Sequence, residues 1–246
     1  MTQKYLDLAI VRNILSTPNW QPGEEHLQKF QQLYMQIINK NKRGNLTRIT
    51  EPQEFLEKHL WDAIAGIKPL KILGKEEETK TAIDIGTGGG FPGIPIAIAC
   101  PNYQVTLLDS VRKKMLLLDE IITALNLQNV KILSGRAEEI GQDLNQRESC
   151  DLAAIRAVGL PSVCAEYSLP FLKLGGIAIL YRGQWSAEET KSLSLAAKKL
   201  GGEIKEIASL QTPLSKSIRH CIYLEKKEPT PAQYPRRVGI PTKKPL

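Results

Sequence analysis

Residues 81–109, TAIDIGTGGGFPGIPIAIACPNYQVTLLD, contain a strand, a glycine-rich turn, a helix and a second strand in that order. The first strand, 81–85, is followed at once by a turn with glycines at positions 86, 88, 89 and 90. The second strand, 105–109, ends in Asp109. Such a unit brings a flexible backbone and a carboxylate to the carboxyl edge of a parallel sheet, where open α/β sheets bind ligands.

Strand and helix patterns alternate over most of the remaining chain. The predicted strands are 81–85, 105–109, 130–134, 151–155, 177–182, 203–210 and 218–225, and the predicted helices between the first five are 92–99, 111–126 and 160–172, with a further helix at 187–200. This alternation indicates an α/β fold with a mostly parallel seven-stranded sheet covered on both faces. The last two strands have no helix between them, which predicts an antiparallel edge pair.

The chain divides into three predicted parts, two of which lie outside this alternation. Residues 1–75 form an N-terminal helical extension, with apolar residues at helical spacing in 3–16, 24–39 and 52–67 and a turn at 41–45. Residues 76–228 hold the sheet domain. Residues 229–246 form a basic tail in which five prolines favour an extended chain.

The composition indicates a cytoplasmic protein with a polyanionic partner. The chain has 246 residues, a formal net charge of +7 and a pI near 9.2, which suits binding to nucleic acid. No apolar run approaches the roughly 20 residues of a membrane helix, and the first residues lack a secretory pattern. The four cysteines and three histidines are scattered, so we expect reduced thiols and no metal site.

Two ligand classes compete for the glycine turn. The dinucleotide pattern G-x-G-x-x-G fails when counted from Gly86, because Phe91 takes the sixth position, and it succeeds only from Gly88, two residues late. The turn fits D-x-G-x-G-x-G from Asp84 better, which is typical of S-adenosylmethionine (SAM) methyltransferases. In that interpretation Asp84 orders the loop or accepts near the amino-acid end of the ligand. Gly86 and Gly88 allow close backbone approach.

Three further positions are candidates for ligand contacts. Asp109 lies 23 positions after Gly86 and can accept from two ribose hydroxyls, since a carboxylate is acceptor-only. The alternative is that Asp109 only caps the helix that begins near Val111. Residues 134–138 follow the third strand, where backbone N–H groups and the Glu138 carboxylate can meet an adenine. Arg156, at the end of the fourth strand, is predicted to point into the same crevice.

Several longer strings carry a family resemblance over nearly the whole chain. They are GTGGGFPGIPIAI (86–98), TLLDS (106–110), SGRAEE (134–139), IRAVG (155–159), NLT (45–47), HLWD (59–62) and the tail KKEPTPAQYPRRVGIPTKKPL (226–246). Together they resemble the RsmG family, also called GidB, bacterial methyltransferases of guanine N7 in 16S ribosomal RNA. The resemblance implies a Rossmann-like class I SAM-dependent fold, SAM as methyl donor and S-adenosylhomocysteine as product.

The resemblance also implies roles for individual residues. The expected cofactor contacts are Asp84, Gly86, Gly88, Phe91, Asp109, Ser110, Val111, Ala137, Glu138 and Arg156. Arg136 and Arg156 are the expected catalytic residues, through contacts with RNA or the target base. The expected partner is 16S rRNA or the assembling 30S subunit, bound by a monomer through Lys40, Lys42, Arg43, Arg236, Arg237, Lys243 and Lys244.

Three other functions remain open at this stage. A methyltransferase for proteins or small molecules would not need the basic flanks. A nicotinamide-dependent dehydrogenase would need the dinucleotide pattern in register and an acid/base pair, and neither is evident. A non-catalytic RNA-binding protein could keep SAM as a structural ligand.

Overall fold

The computed structural model describes residues 5–73 and 78–246. Within these ranges the strands are β1 Lys80–Ile85, β2 Tyr103–Asp109, β3 Val130–Ser134, β4 Cys150–Arg156, β5 Leu172–Arg182, β6 Gly202–Gln211 and β7 Ile218–Lys226. They form one seven-stranded sheet in the order β3-β2-β1-β4-β5-β7-β6. Strands β1 to β5 pair in parallel, and β7 is antiparallel to both of its neighbours. The predicted fold class, with its antiparallel edge pair, is confirmed.

Helices connect and cover these strands. The α-helices of the described residues are α1 Leu8–Leu15, α2 Glu24–Gly44, α3 Pro52–Phe55, α4 Asp62–Ile67, α5 Gly93–Ala99, α6 Arg112–Ala124, α7 Ala137–Ile140, α8 Pro161–Ser168, α9 Ala187–Lys199 and α10 Ile240–Lys243. A π-helical segment, Leu56–Trp61, joins α3 to α4. None of the helices in the described ranges is long and apolar enough to cross a membrane.

The two faces of the sheet belong to two hydrophobic clusters. Successive residues of β1 alternate between them, with Ala82 in one cluster and Ile83 in the other. The first cluster joins the N-terminal helices, α5 and α6 to the sheet. The second joins α8 and α9 to the opposite face. Both faces of the central strands are therefore buried, as expected for parallel strands.

Helix α2 is longer than its pattern predicted. Residues 41–45 were expected to form a turn, but the helix continues to Gly44 and ends where Asn45 adopts a left-handed conformation with φ 38°. An asparagine tolerates that conformation at a helix end, and basic side chains are favoured in a last turn. Lys42 and Arg43 consequently lie on a helix rather than in a loop.

The C-terminal tail is packed, and the prediction that it is merely extended is wrong at its end. Residues Ile240–Lys243 form one helical turn, α10. Upstream, the guanidinium of Arg147 donates to the carbonyl oxygens of Thr230 at 2.6 Å and Tyr234 at 2.7 Å. The proline-rich chain offers free carbonyl groups, and the partly buried guanidinium of Arg147 satisfies two of them.

Glu166 makes the strongest contact between α8 and the tail. Its carboxylate is fully buried and accepts from the Arg236 side chain at two nitrogens, Nε at 2.9 Å and Nη2 at 2.6 Å. The Arg236 backbone N–H donates to the same carboxylate at 2.8 Å. Paired, charge-assisted bonds of this kind fix geometry as well as adding energy.

We expect Glu166→Ala to destabilise the protein by about 3 kcal/mol, because it leaves the Arg236 guanidinium without its carboxylate in a mostly buried position. Urea unfolding measures this loss. Tryptic cleavage after Arg236 should accelerate in parallel, since the tail loses its anchor. Arg237→Ala is the matched control, because the neighbouring Arg237 is exposed. Equal unfolding midpoints for the two variants would contradict this account of the tail.

Candidate active site

The strand order reverses at β1, which pairs with β2 on one side and with β4 on the other. A crevice forms at such a switch point, outside the carboxyl ends of the strands. The glycine turn follows β1, Asp109 ends β2 and Arg156 ends β4. The fold therefore gathers at one edge the residues that the sequence singled out.

The glycine turn holds a backbone conformation that side chains disfavour. Gly86 has φ +69° and Gly88 has φ +59°, both left-handed. A Cβ at Gly86 would also lie 2.7 Å from Val158 Cγ2. The backbone N–H of Gly86 donates to the Leu108 carbonyl at 2.8 Å, which ties the turn to the end of β2.

Asp84 orders the turn from beneath. Its side chain is buried, and Oδ2 accepts from the Thr87 hydroxyl at 2.5 Å and from the Gly93 backbone N–H at 2.8 Å. Burial raises the pKa of this carboxyl to about 6. Of the two roles predicted for Asp84, the structure displays loop ordering.

Asp109 braces the turn from β2. Its Oδ2 accepts from the Gly88 backbone N–H and its Oδ1 from the Val111 backbone N–H, both at 2.9 Å. Each carboxylate oxygen has two lone pairs, so acceptor capacity remains for a ligand's hydroxyl groups. The neighbouring Ser110 and Val111 are exposed beside it.

The loop after β3 differs in detail from its prediction. The Glu138 carboxylate, expected beside an adenine, is buried and accepts from the Tyr167 hydroxyl at 2.9 Å and the Gly239 backbone N–H at 3.0 Å. The carboxylate thus holds the tail through Gly239. Arg136 stands exposed at this edge, 3.4 Å from the Ser110 hydroxyl.

Arg156 joins the sheet edge to the N-terminal helices. Its Nη1 donates to the Lys58 carbonyl at 2.6 Å and to Asp62 Oδ2 at 3.2 Å, and its Nη2 lies 3.0 Å from His59 Nδ1. The His59 ring stacks on Phe91 with centroids 4.0 Å apart. Arg156, His59 and Phe91 thereby form a wall beside the glycine turn.

The contacts of His59 define its tautomer. An arginine only donates, so His59 Nδ1 accepts from Arg156 and the proton resides on Nε2. Nε2 then donates to the Thr47 hydroxyl at 2.9 Å. Burial, followed by the charge of Arg156, lowers the pKa of His59 to about 2, so the ring stays neutral.

Sequence reasoning missed the roles of His59, Thr47 and Glu57. The buried Glu57 carboxylate accepts from the backbone N–H groups of Leu214 at 2.6 Å and Ser215 at 2.8 Å, which docks the β6–β7 turn onto the π-helical segment. The strings NLT and HLWD were the available signal for His59 and Thr47. Their contact with Arg156 depends on the fold.

The predicted basic residues do not form one surface. Lys40 and Arg43 both pair with Glu120 of α6, Arg43 through Nη1 at 2.8 Å. Helices α2 and α6 cover one face of the sheet, whereas the tail packs with α8 on the other. Arg236 is bound to Glu166. The remaining predicted residues, Lys42, Arg237, Lys243 and Lys244, are exposed.

Solved structures share this fold. The 16S rRNA (adenine(1408)-N(1))-methyltransferase of Catenulisporales acidiphilia matches with a TM-score of 0.51 at 14% identity, over 68% of this chain and 94% of that one. The antibiotic-resistance methyltransferase Kmr matches with a TM-score of 0.52 at 16% identity, over 61% of this chain and 88% of that one. The sheet and its edge define the class I SAM-dependent methyltransferase fold.

Sequence comparison identifies the family. The model of GidB, rRNA small subunit methyltransferase G, matches residues 26–221. Ribosomal RNA small subunit methyltransferase G of Nostoc punctiforme is 55% identical over 94% of both chains. The protein of that name from Synechococcus elongatus is 52% identical over 96% of both. The chain belongs to the GidB family.

Asp84 predicts a specific pH dependence of stability. Its pKa is raised from 3.8 to about 6 in the folded protein, which therefore holds the proton more tightly than the unfolded chain. The resulting stabilisation is present at low pH and is lost as pH rises through that window. We expect wild type to lose about 2 kcal/mol relative to Asp84→Asn between about pH 4 and pH 6.5.

Urea unfolding at a series of pH values measures this difference. Asp119→Asn, at an exposed position on α6, is the control and should follow the wild-type curve. Parallel curves for wild type and Asp84→Asn across the window would contradict the assignment.

Proposed function

We propose that this protein transfers the methyl group of SAM to N7 of a guanine in 16S ribosomal RNA. The observation that carries the proposal is the carboxyl edge of the sheet, where Asp109 and the glycine turn fit the donor, in a chain of the rRNA small subunit methyltransferase G family. The glycine turn contains no lysine, which agrees with a ligand that has no phosphates.

The residues present fit SAM. The Asp109 carboxylate has acceptor capacity for the two ribose hydroxyls, and the main chain of Gly86 and Gly88 can approach the methionine part closely. Ala137 and Glu138 offer main-chain groups to the adenine, with Ser110, Val111 and Phe91 beside them. When bound, SAM supplies the methyl group and a sulfur leaving group.

The chain's own task is positioning. Guanine N7 has a lone pair and no proton, so the reaction needs no general base. His59 agrees with this, because both ring nitrogens are already hydrogen-bonded and its low pKa keeps it neutral. Holding nucleophile and methyl group aligned at about 3–3.5 Å can supply several kcal/mol of the acceleration.

The two predicted arginines receive different roles. Arg156 is partly buried and held by three groups of the N-terminal helices, so we assign it to positioning His59 and Asp62 beside the reacting groups. Arg136 is exposed at the same edge, so we assign it to contact with the RNA backbone.

RNA binding falls to the exposed basic residues on both sides of this edge. Arg237, Lys243 and Lys244 of the tail and Lys42 of α2 are exposed, whereas Lys40, Arg43 and Arg236 have carboxylate partners. The substrate is 16S rRNA, free or within an assembling 30S subunit. We expect the enzyme to meet this substrate in the cytoplasm and to act as a monomer.

The cofactor assignment predicts the behaviour of Asp109→Asn. We expect the variant to bind SAM and S-adenosylhomocysteine about 10- to 100-fold more weakly, because hydrogen bonds to an ionised acceptor are lost. Isothermal titration calorimetry measures the affinity, with Asp119→Asn as the exposed control. Unchanged SAM affinity in Asp109→Asn would refute the ribose contact.

The activity itself is tested by mass mapping of N7-methylguanine in 16S rRNA from cells with and without the gene. One such base should disappear with the gene and return with the wild-type copy, but not with Asp109→Asn. An identical set of N7-methylguanines in both strains would refute the function.

The tail predicts a salt dependence of RNA binding. Replacing Arg237, Lys243 and Lys244 together by glutamine should reduce the slope of log affinity against log salt by about 2, since each lost phosphate contact removes about 0.7–0.9. Filter binding to a 16S rRNA transcript at several salt concentrations measures the slope. The same three-residue change in Lys191, Lys198 and Lys199 of α9 is the charge-matched control.

A further inference from the structure

A second cavity adjoins the wall formed by Arg156, His59 and Phe91. Its volume is about 460 Å³, within the usual range of small-molecule sites. It opens at the carboxyl ends of β4 and β5. The residues of its lining that matter here are Lys58, His59, Asp62, Arg156, Tyr181 and Arg219.

The cavity contains an acceptor and a donor that do not satisfy each other. Asp62 is buried, and its Oδ1 lies 3.8 Å from Arg219 Nε, beyond hydrogen-bond distance. Arg219 Nε is itself buried and has no hydrogen-bond partner. A buried donor without a partner destabilises the protein, and a ligand acceptor would satisfy it.

The apolar part of the cavity is rigid. The Tyr181 ring is buried, and its hydroxyl donates to the Ala63 carbonyl at 3.1 Å. Gly66 lies directly against this ring, since a Cβ there would be 2.3 Å from Tyr181 Cε1. The β6–β7 turn, held by Glu57, keeps the adjoining β7 strand and Arg219 close to the helices.

These groups match one edge of guanine. Guanine presents the N1–H and N2 amino donors next to the O6 acceptor, whereas adenine presents an acceptor at N1 and a donor at N6. Resting on the proposed function, we propose that this cavity receives the target guanine, extruded from the RNA, with Asp62 accepting from N1–H and the N2 amino group and Arg219 Nε donating to O6. Enzymes that modify bases read extruded bases in this way.

The arrangement also suits the reaction. N1 and N2 belong to the Watson–Crick edge of guanine, whereas N7 lies on the Hoogsteen edge, so a base held at Asp62 leaves N7 free for the methyl group. Methyl transfer makes the purine cationic as the sulfur becomes neutral. A buried carboxylate next to the ring stabilises that developing charge.

A competing occupant is the methionine carboxylate of SAM, attracted by Arg156, Arg219 and Lys58. The Asp62 carboxylate among these cations opposes an anion, so the structure favours the base. If the SAM carboxylate occupies the cavity, replacing Asp62 or Arg219 should change SAM affinity. If the target base occupies it, SAM affinity should stay the same.

The test uses 16S rRNA transcripts that carry guanine or inosine at the mapped position, because inosine lacks only the 2-amino group. For the wild-type enzyme we expect kcat/KM to fall about 10- to 100-fold with inosine, the effect of one lost bond to a charged acceptor. In Asp62→Asn the guanine rate should fall by a similar factor, and the inosine penalty should nearly vanish. SAM affinity, measured by calorimetry, should stay unchanged.

Arg219→Met provides a second, independent arm. It should lower the rate on guanine but keep the full inosine penalty, since O6 is present in both bases. For the Asp62→Asn arm the control is Glu206→Gln, which also removes one negative charge and lies at an exposed position of β6. Urea unfolding establishes that each variant is folded.

Two outcomes would overturn the proposal. Equal rates of wild type on guanine and inosine transcripts would show that Asp62 does not read the base, whether or not its variant folds. Weakened SAM binding in Asp62→Asn or Arg219→Met would assign the cavity to the cofactor. Failure of the proposed function is distinguishable, because the wild-type enzyme would then methylate neither transcript.

Discussion

One guanidinium connects the two halves of the molecule. Arg156, at the end of β4, donates to a carbonyl, an imidazole and a carboxylate that all belong to the helices before β1. A planar fork of donors can hold three such groups at once, which the single ammonium of a lysine cannot do with the same geometry. The position of His59 and Asp62 relative to the cofactor edge therefore depends on this residue.

Acidic side chains organise the glycine turn. The buried Asp84 accepts from the backbone N–H of Gly93, and the partly exposed Asp109 accepts from that of Gly88. Basic groups on the outside face the solvent at the tail and at the end of α2. Methyl transfer moves positive charge from sulfur to the guanine ring, and nearby carboxylates stabilise that charge. Exposed lysines and arginines attract the polyanionic RNA.

The sheet, the glycine turn and Asp109 could be predicted from sequence because their signals are local: apolar strands, a glycine turn and an acid at the next strand end. The packing of the tail could not, since Arg236 meets Glu166 across 70 positions. The docking of the β6–β7 turn on Glu57 spans 157 positions. Charge patterns likewise indicated Lys40 and Arg43, and only the fold reveals that both face Glu120.

Two backbone groups of the tail complete the hydrogen bonding of carboxylates in the interior. Backbone N–H groups of Arg236 and Gly239 satisfy the carboxylates of Glu166 and Glu138, which are otherwise shielded from water. Loss of residues 235–246 would deprive both acids of these donors and leave the Glu166 carboxylate buried without its Arg236 partner. The packing around α7 and α8 therefore depends on a segment that lies 70 or more positions further along the chain.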